Sequence, residues 1–266
     1  MKIKKIMLAV LIIAVIIAMA GCGNANKIDE NKPTVVCTGF AQYDWVLNIL
    51  GDEACDWNVI RINDNGADMH SYQPSAEDMI LINKSDLLIF TGGMSEEWIE
   101  EAIESQDFKG KAYALLENSE PICMEEEHGH GHEEHDHEHG HDGHIHDEYD
   151  EHIWLSLDNA VEFCQDIAVM LNDINPSKHY DKNCQIYTKR LQDLNDQFDG
   201  AIWEDENNEI VFADRFPFRY LAEDYGLTWY AAFPGCSAET EASFDTLKEL
   251  SNKVKELDSA SIFVTE

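Results

Sequence analysis

Short β-branched runs alternate with helical stretches along most of this chain, and no other feature limits its fold as tightly. Residues 34–38 follow Pro33 as Thr-Val-Val-Cys-Thr and read as a buried strand. Residues 41–50 read as a helix with Trp45, Val46, Ile49 and Leu50 on one side, stopped by Gly51. A second strand is expected over 57–62, ending in turn-rich residues 63–68. A helix over 75–83, a strand over 87–90 and a helix over 96–105 follow. Beyond residue 153 the pattern resumes with helices over 159–171 and 179–202, a strand over 209–213 and a short helix over 220–225. A strand over 227–233, a helix over 244–257 and a final strand over 261–264 complete it. The long helix carries Tyr187, Leu191, Leu194 and Phe198 at helical spacing, a stripe expected to pack in the core. Strands separated by helices predict an α/β fold with mainly parallel sheets, here as two lobes joined by the long helix.

Residues 125–151 break this pattern. They hold nine of the twelve histidines: His128, His130, His132, His135, His137, His139, His141, His144 and His146. Asp, Glu and Gly fill the spaces between them, and the apolar residues needed for a core are missing. The segment is expected to be a disordered insertion. Imidazole suits Zn(II), Cu(II) and Ni(II), whereas Mn(II) prefers oxygen. The insertion therefore reads as a weak, multi-site metal collector, with an incidental low-complexity linker as the other reading.

Charge narrows the partners. Lys and Arg number 18 against 53 Asp and Glu, a net charge of −35. Such a surface repels phosphate backbones, which excludes nucleic acid, and it attracts cations. The N-terminus is of another kind. Lys2, Lys4 and Lys5 precede an apolar run over 6–20 that closes on Met19-Ala20-Gly21-Cys22. A basic start, a short apolar run and small residues read as an export signal. A membrane span would need about 20 apolar residues. The six remaining cysteines show no C-x-x-C pair, so a zinc-finger reading fails on spacing. G-x-S-x-G does not occur, and H-E-x-x-H is spelled only by His137–His141 inside the low-complexity His-rich run, so no enzyme is expected.

Two loop histidines carry the chemistry. His70 lies in Gly66-Ala67-Asp68-Met69-His70-Ser71-Tyr72-Gln73-Pro74, where a strand leaves its sheet, the edge at which open α/β sheets bind ligands. His152 lies in Asp150-Glu151-His152-Ile153-Trp154-Leu155, where order resumes after the insertion. Together with Gly92-Gly93-Met94-Ser95-Glu96-Glu97-Trp98 and the acidic His-rich insertion between the two histidines, these motifs resemble the zinc and manganese substrate-binding lipoproteins of bacterial metal ABC importers, the family of the high-affinity zinc-uptake receptors.

The resemblance implies two lobes joined by one rigid helix, with a metal cleft between the lobes and His70 and His152 supplied by the first. Met19–Cys22 is similar to a lipobox, which implies lipidation of Cys22. The implied organisation is a lipoprotein signal peptide over 1–22, a tether over 23–33 and an N-terminal lobe over 34–175. The linker helix then takes 176–203, and a C-terminal lobe that reads as truncated takes 204–266. The expected ligand is Zn(II), with Mn(II) second. The expected partners are an ABC permease and its ATPase, reached by a monomer held at the extracytoplasmic membrane face by its lipid. The other readings are the same fold carrying manganese or another divalent ion, or a His-rich metal-buffering or adhesive surface lipoprotein. One departure stands out. Zinc members place a third His at the start of a segment that here reads Arg215-Phe216-Pro217-Phe218-Arg219-Tyr220, and Arg cannot ligate a cation. The candidates for a third ligand are Asp214, Cys236, Glu239 and Glu241, with a carboxylate favoured, as in manganese members. The family's fourth ligand, an Asp, is expected beyond Glu266.

Overall fold

A computed structural model of the chain describes residues 28–63, 69–105, 108–120, 149–203, 208–233, 242–257 and 261–265. The chain divides into two units, Met1–Lys32 and Pro33–Glu266. In the first, Lys32 N–H closes a turn onto the Asp29 carbonyl at 3.0 Å. The export signal, Cys22 and most of the tether lie outside the described residues, as does the His-rich run over 125–148. Among the described residues no helix is long and apolar enough to cross a membrane.

Within Pro33–Glu266 the first lobe is built on strands β1 (Thr34–Cys37), β2 (Asn58–Arg61), β3 (Leu87–Phe90) and β4 (Lys111–Ala114), all parallel in the order β2-β1-β3-β4. Every residue of β1 and β3 is buried. That suits apolar strands covered by helices on both faces. Sequence patterning did not pick out β4, whose first two residues, Lys111 and Ala112, are exposed as befits an edge strand. Helices α1 (Phe40–Leu50), α2 (Ala76–Lys84), α3 (Glu97–Ser105) and α4 (Leu157–Ile174) complete the lobe. A capping box starts α2: Asp78 N–H donates to Ser75 Oγ, and Ser75 N–H donates to Asp78 Oδ2 at 2.6 Å. Val46, Ile49 and Leu50 of α1 join Phe163, Ile167 and Leu171 of α4 in the core, with Trp45 and Phe163 rings 5.8 Å apart.

Helix α5 (Tyr180–Trp203) has 24 residues, about 36 Å at 1.5 Å per residue. Its first half is fastened to the first lobe. Tyr180 is fully buried and accepts from Trp57 Nε1 at 2.9 Å, and Tyr187 donates to Asp44 at 2.7 Å. The expected core stripe holds only here. Tyr187 and Leu191 pack on the core, but Leu194 and Phe198 are exposed, because the helix has by then run past the layer that covers it. Phe198 instead stacks on Tyr225, ring centroids 5.5 Å apart.

The second lobe pairs β5 (Glu209–Arg215) with β6 (Thr228–Phe233) in parallel, with α6 (Arg219–Asp224) between them and α7 (Phe244–Glu256) after them. Its core is aromatic, with Phe216 stacked on Trp229 at 4.3 Å and Phe212 against both Phe216 and Phe218. The final strand expected over 261–264 is a single rung. Phe263 N–H donates to the Val211 carbonyl, and the Phe263 carbonyl accepts from Ala213, each at 2.9 Å. The architecture is the expected one, two α/β lobes with parallel sheets joined by a long helix.

Candidate metal centre

The strand order 2-1-3-4 reverses direction at β1, so the carboxyl ends of β1 and β3 open a crevice. His70 follows β2, in the helical turn Met69–Ser71, and His152 precedes the turn Ile153–Leu155. The fold brings their rings together. The two Nε2 atoms are 3.3 Å apart, with ring centroids 5.1 Å apart and planes at 51°.

Each ring is held from behind through its other nitrogen. His152 Nδ1 lies 2.7 Å from Asp150 Oδ1, which also accepts the His152 backbone N–H at 2.9 Å. Asp150 is itself clamped by the second lobe: Arg219 Nε is 3.6 Å from Oδ2, and the Tyr220 hydroxyl donates to the Asp150 carbonyl at 2.8 Å. His70 Nδ1 lies 2.9 Å from Ser95 Oγ and 3.4 Å from Glu151 Oε2. Carboxylate oxygens only accept, so Asp150 favours the proton on His152 Nδ1, and a His70 ring protonated in the same way would leave both Nε2 atoms with a lone pair. Two lone pairs aimed at each other repel unless a cation lies between them. Two nitrogens bound tetrahedrally to zinc at about 2.05 Å would stand roughly 3.3–3.4 Å apart. The observed separation fits that shell.

The surrounding turn is built around Glu151. Gly93 takes φ +85°, and a Cβ there would sit 2.6 Å from Glu151 Oε1, so only glycine meets both demands. Ser95 N–H donates to the same oxygen at 2.7 Å. Burial alone would raise the Glu151 pKa, but the neighbouring His70 ring and the hydrogen bond from Ser95 outweigh it and hold the carboxyl below its ordinary value. Glu96, also buried, braces the turn by accepting from Thr91 N–H at 2.7 Å and Gly92 N–H at 2.9 Å. Burial still prevails for Glu96 and pushes its pKa up to about 7.

Other candidate ligands fare differently. Cys236, Glu239 and Glu241 lie outside the described residues. Asp214 accepts from Arg215 N–H at 2.8 Å through Oδ1 and from Thr265 through Oδ2, bonds that hold its carboxyl below the ordinary range, Thr265 foremost. Among the described residues no group of three or more His, Cys, Asp or Glu side chains is disposed to hold a metal. Asp150, Glu151, Ser95, Arg219 and Tyr220 escaped the reading of the sequence. Tyr149, Asp150 and Glu151 were assigned to the insertion, yet Asp150 and Glu151 are 3% and 6% exposed. The available signal was the Asp-x-His spacing directly ahead of an apolar Ile-Trp-Leu.

Comparison with known proteins identifies the family. Residues 35–266 match the family described as zinc-uptake complex component A, periplasmic. The chain is 30% identical over 256 residues to a zinc-binding lipoprotein, AdcA, of Streptococcus pneumoniae, covering 93% of this chain and 48% of that protein. It is 29% identical over 263 residues to the high-affinity zinc uptake system protein ZnuA of Bacillus subtilis, covering 96% and 79%. The crystal structure of Zn(II)-bound AdcA from Streptococcus pneumoniae superposes with a TM-score of 0.67 at 26% identity, over 88% of this chain and 46% of that one. The chain thus spans about half the length of the streptococcal AdcA proteins it matches.

Proposed function

This chain belongs to the zinc-uptake complex component A family, and on that premise we propose that it is an extracytoplasmic receptor that captures Zn(II) and delivers it to an ABC importer. The observation that carries the proposal is the pair of Nε2 atoms 3.3 Å apart, each backed by a carboxylate at its Nδ1. Neutral imidazole is a borderline ligand suited to zinc, and Mn(II) would favour an oxygen-rich shell. The ion is cargo, so binding must be tight yet reversible. Protons compete for the same lone pairs, so affinity falls as pH is lowered.

His70 and His152 supply the first half of the shell. A carboxylate or thiolate from the second lobe completes it, with Glu239, Glu241, Cys236 and Asp214 as candidates and Arg215 excluded by its permanent charge. The His-rich run acts as an auxiliary collector that raises the local metal concentration. Cys22 carries the lipid that keeps the receptor at the membrane near the permease and ATPase. The relatives' names, a zinc-binding lipoprotein and a zinc uptake system protein, support this reading.

X-ray absorption at the zinc edge of protein loaded with one equivalent of metal tests it. Two imidazole nitrogens at about 2.0 Å are expected. A shell of six oxygens, or Mn(II) displacing Zn(II) at equal concentration, would contradict it.

A further inference from the structure

We propose that Glu151 is a positioning residue that ties the two metal-facing histidines into one unit, orienting His70 while its neighbour Asp150 orients His152. The inference rests on the receptor reading above and deepens it.

Three consecutive residues do the work. Asp150 holds the Nδ1 of His152, two residues away. Glu151 reaches the Nδ1 of His70, which arrives on a loop 81 positions earlier in the chain. Glu151 is 6% exposed, and a buried carboxylate without a purpose is costly. One oxygen is committed to Ser95 N–H at 2.7 Å. The other, Oε2, is buried without a hydrogen-bond partner and faces His70 Nδ1 at 3.4 Å, an ion-pair distance. The turn at Gly93 leaves out a Cβ where Glu151 passes, so the backbone is shaped to admit this side chain.

Glu151 does not point at the metal position. It meets the far side of the His70 ring from Nε2, which makes it an orienting partner. A carboxylate there fixes the Nδ1–H tautomer, frees the Nε2 lone pair and raises ligand basicity. Ser95 Oγ, 2.9 Å from the same Nδ1, shares the proton but has no charge to add. Because residues 150–152 are contiguous, a shift of this segment moves both ligand rings together.

The full chain tests this with Glu151→Leu, Glu151→Gln, His70→Ala and the pair Glu151→Leu/His70→Ala. Zn(II) affinity is expected to fall about 10- to 100-fold in Glu151→Leu. In the His70→Ala background the same change should cost little more, since the residue acts through a ring no longer present. Glu151→Gln keeps an acceptor oxygen and should recover most of the loss, which guards against a leucine variant that fails to fold. Nitrogen-15 NMR of the histidine side chains in metal-free protein gives a readout independent of zinc. His70 should carry its proton on Nδ1 in the natural chain and lose that preference in Glu151→Leu. Equal losses in both backgrounds, or an unchanged His70 tautomer, would overturn the proposal. If the natural chain binds no zinc tightly, the receptor reading fails, and the tautomer measurement still decides the role of Glu151.

Discussion

At the scale of single residues, the histidines were legible and their supports were not. His70 and His152 sit in motifs with recognisable neighbours. Asp150 and Glu151 close an acidic run, where a charge is ordinarily solvated, and only the fold reveals them as buried. Gly93 was visible as part of a motif, but its reason, a positive φ beside the Glu151 carboxylate, needs three dimensions. Glu96 offers a test of how burial is tolerated under the site. Its pKa lies near 7 in the folded chain against 4.5 for the ordinary group. Between those values the folded protein binds more protons than the unfolded one, so stability falls as pH rises through this window. The cost reaches roughly 3 kcal/mol above pH 7, at 1.36 kcal/mol for each pH unit. Glu96→Gln removes that titration and keeps an acceptor for Thr91 and Gly92. Denaturant midpoints should then favour the variant at pH 8 and lose that advantage at pH 5. An identical pH profile in the two proteins would show that Glu96 titrates normally.

At the scale of elements, apolar alternation sufficed for the buried strands and failed at the margins. β1 and β3 were plain because both faces are covered, leaving runs such as Leu87-Leu88-Ile89-Phe90. β4 begins with exposed Lys111 and Ala112, so its sequence carries little apolar signal. Residues 261–264 have the composition of a strand, yet pairing stops at Phe263. Leu194 and Phe198 kept helical periodicity where α5 has run past the first lobe, and Phe198 stacks on Tyr225 of the second lobe while staying exposed. Composition says which surface a residue can bury, and neighbours decide whether it does. The junction between α5 and the first lobe can be probed at Tyr180. Tyr180→Phe leaves buried Trp57 Nε1 without its acceptor, and about 1–3 kcal/mol of stability should be lost in urea unfolding. Zinc affinity should not change, since no group holding His70 or His152 is touched. A matching loss of affinity would mean that the helix junction controls the site.

At the scale of the whole molecule, charge and topology both bear on the proposed capture of a cation. The net charge of −35 draws cations in. The parallel sheet of the first lobe brings two loops to one edge. Arg219 and Tyr220 of the second lobe grip Asp150 and so tie the lobes together behind His152. The two-lobe plan could be read from the order of strands and helices. Arg219 and Tyr220 could not be read as partners of Asp150, because a contact across 70 positions leaves no local pattern. The central claim is that the paired histidines, and not the His-rich run, form the tight site. The most direct measurement is a calorimetric Zn(II) titration of the chain beside His70→Ala, His152→Ala and a deletion of residues 125–148. One tight site whose affinity drops sharply with either histidine change and survives the deletion is the predicted result. Tight binding that persists in both single variants and vanishes with the deletion would contradict it.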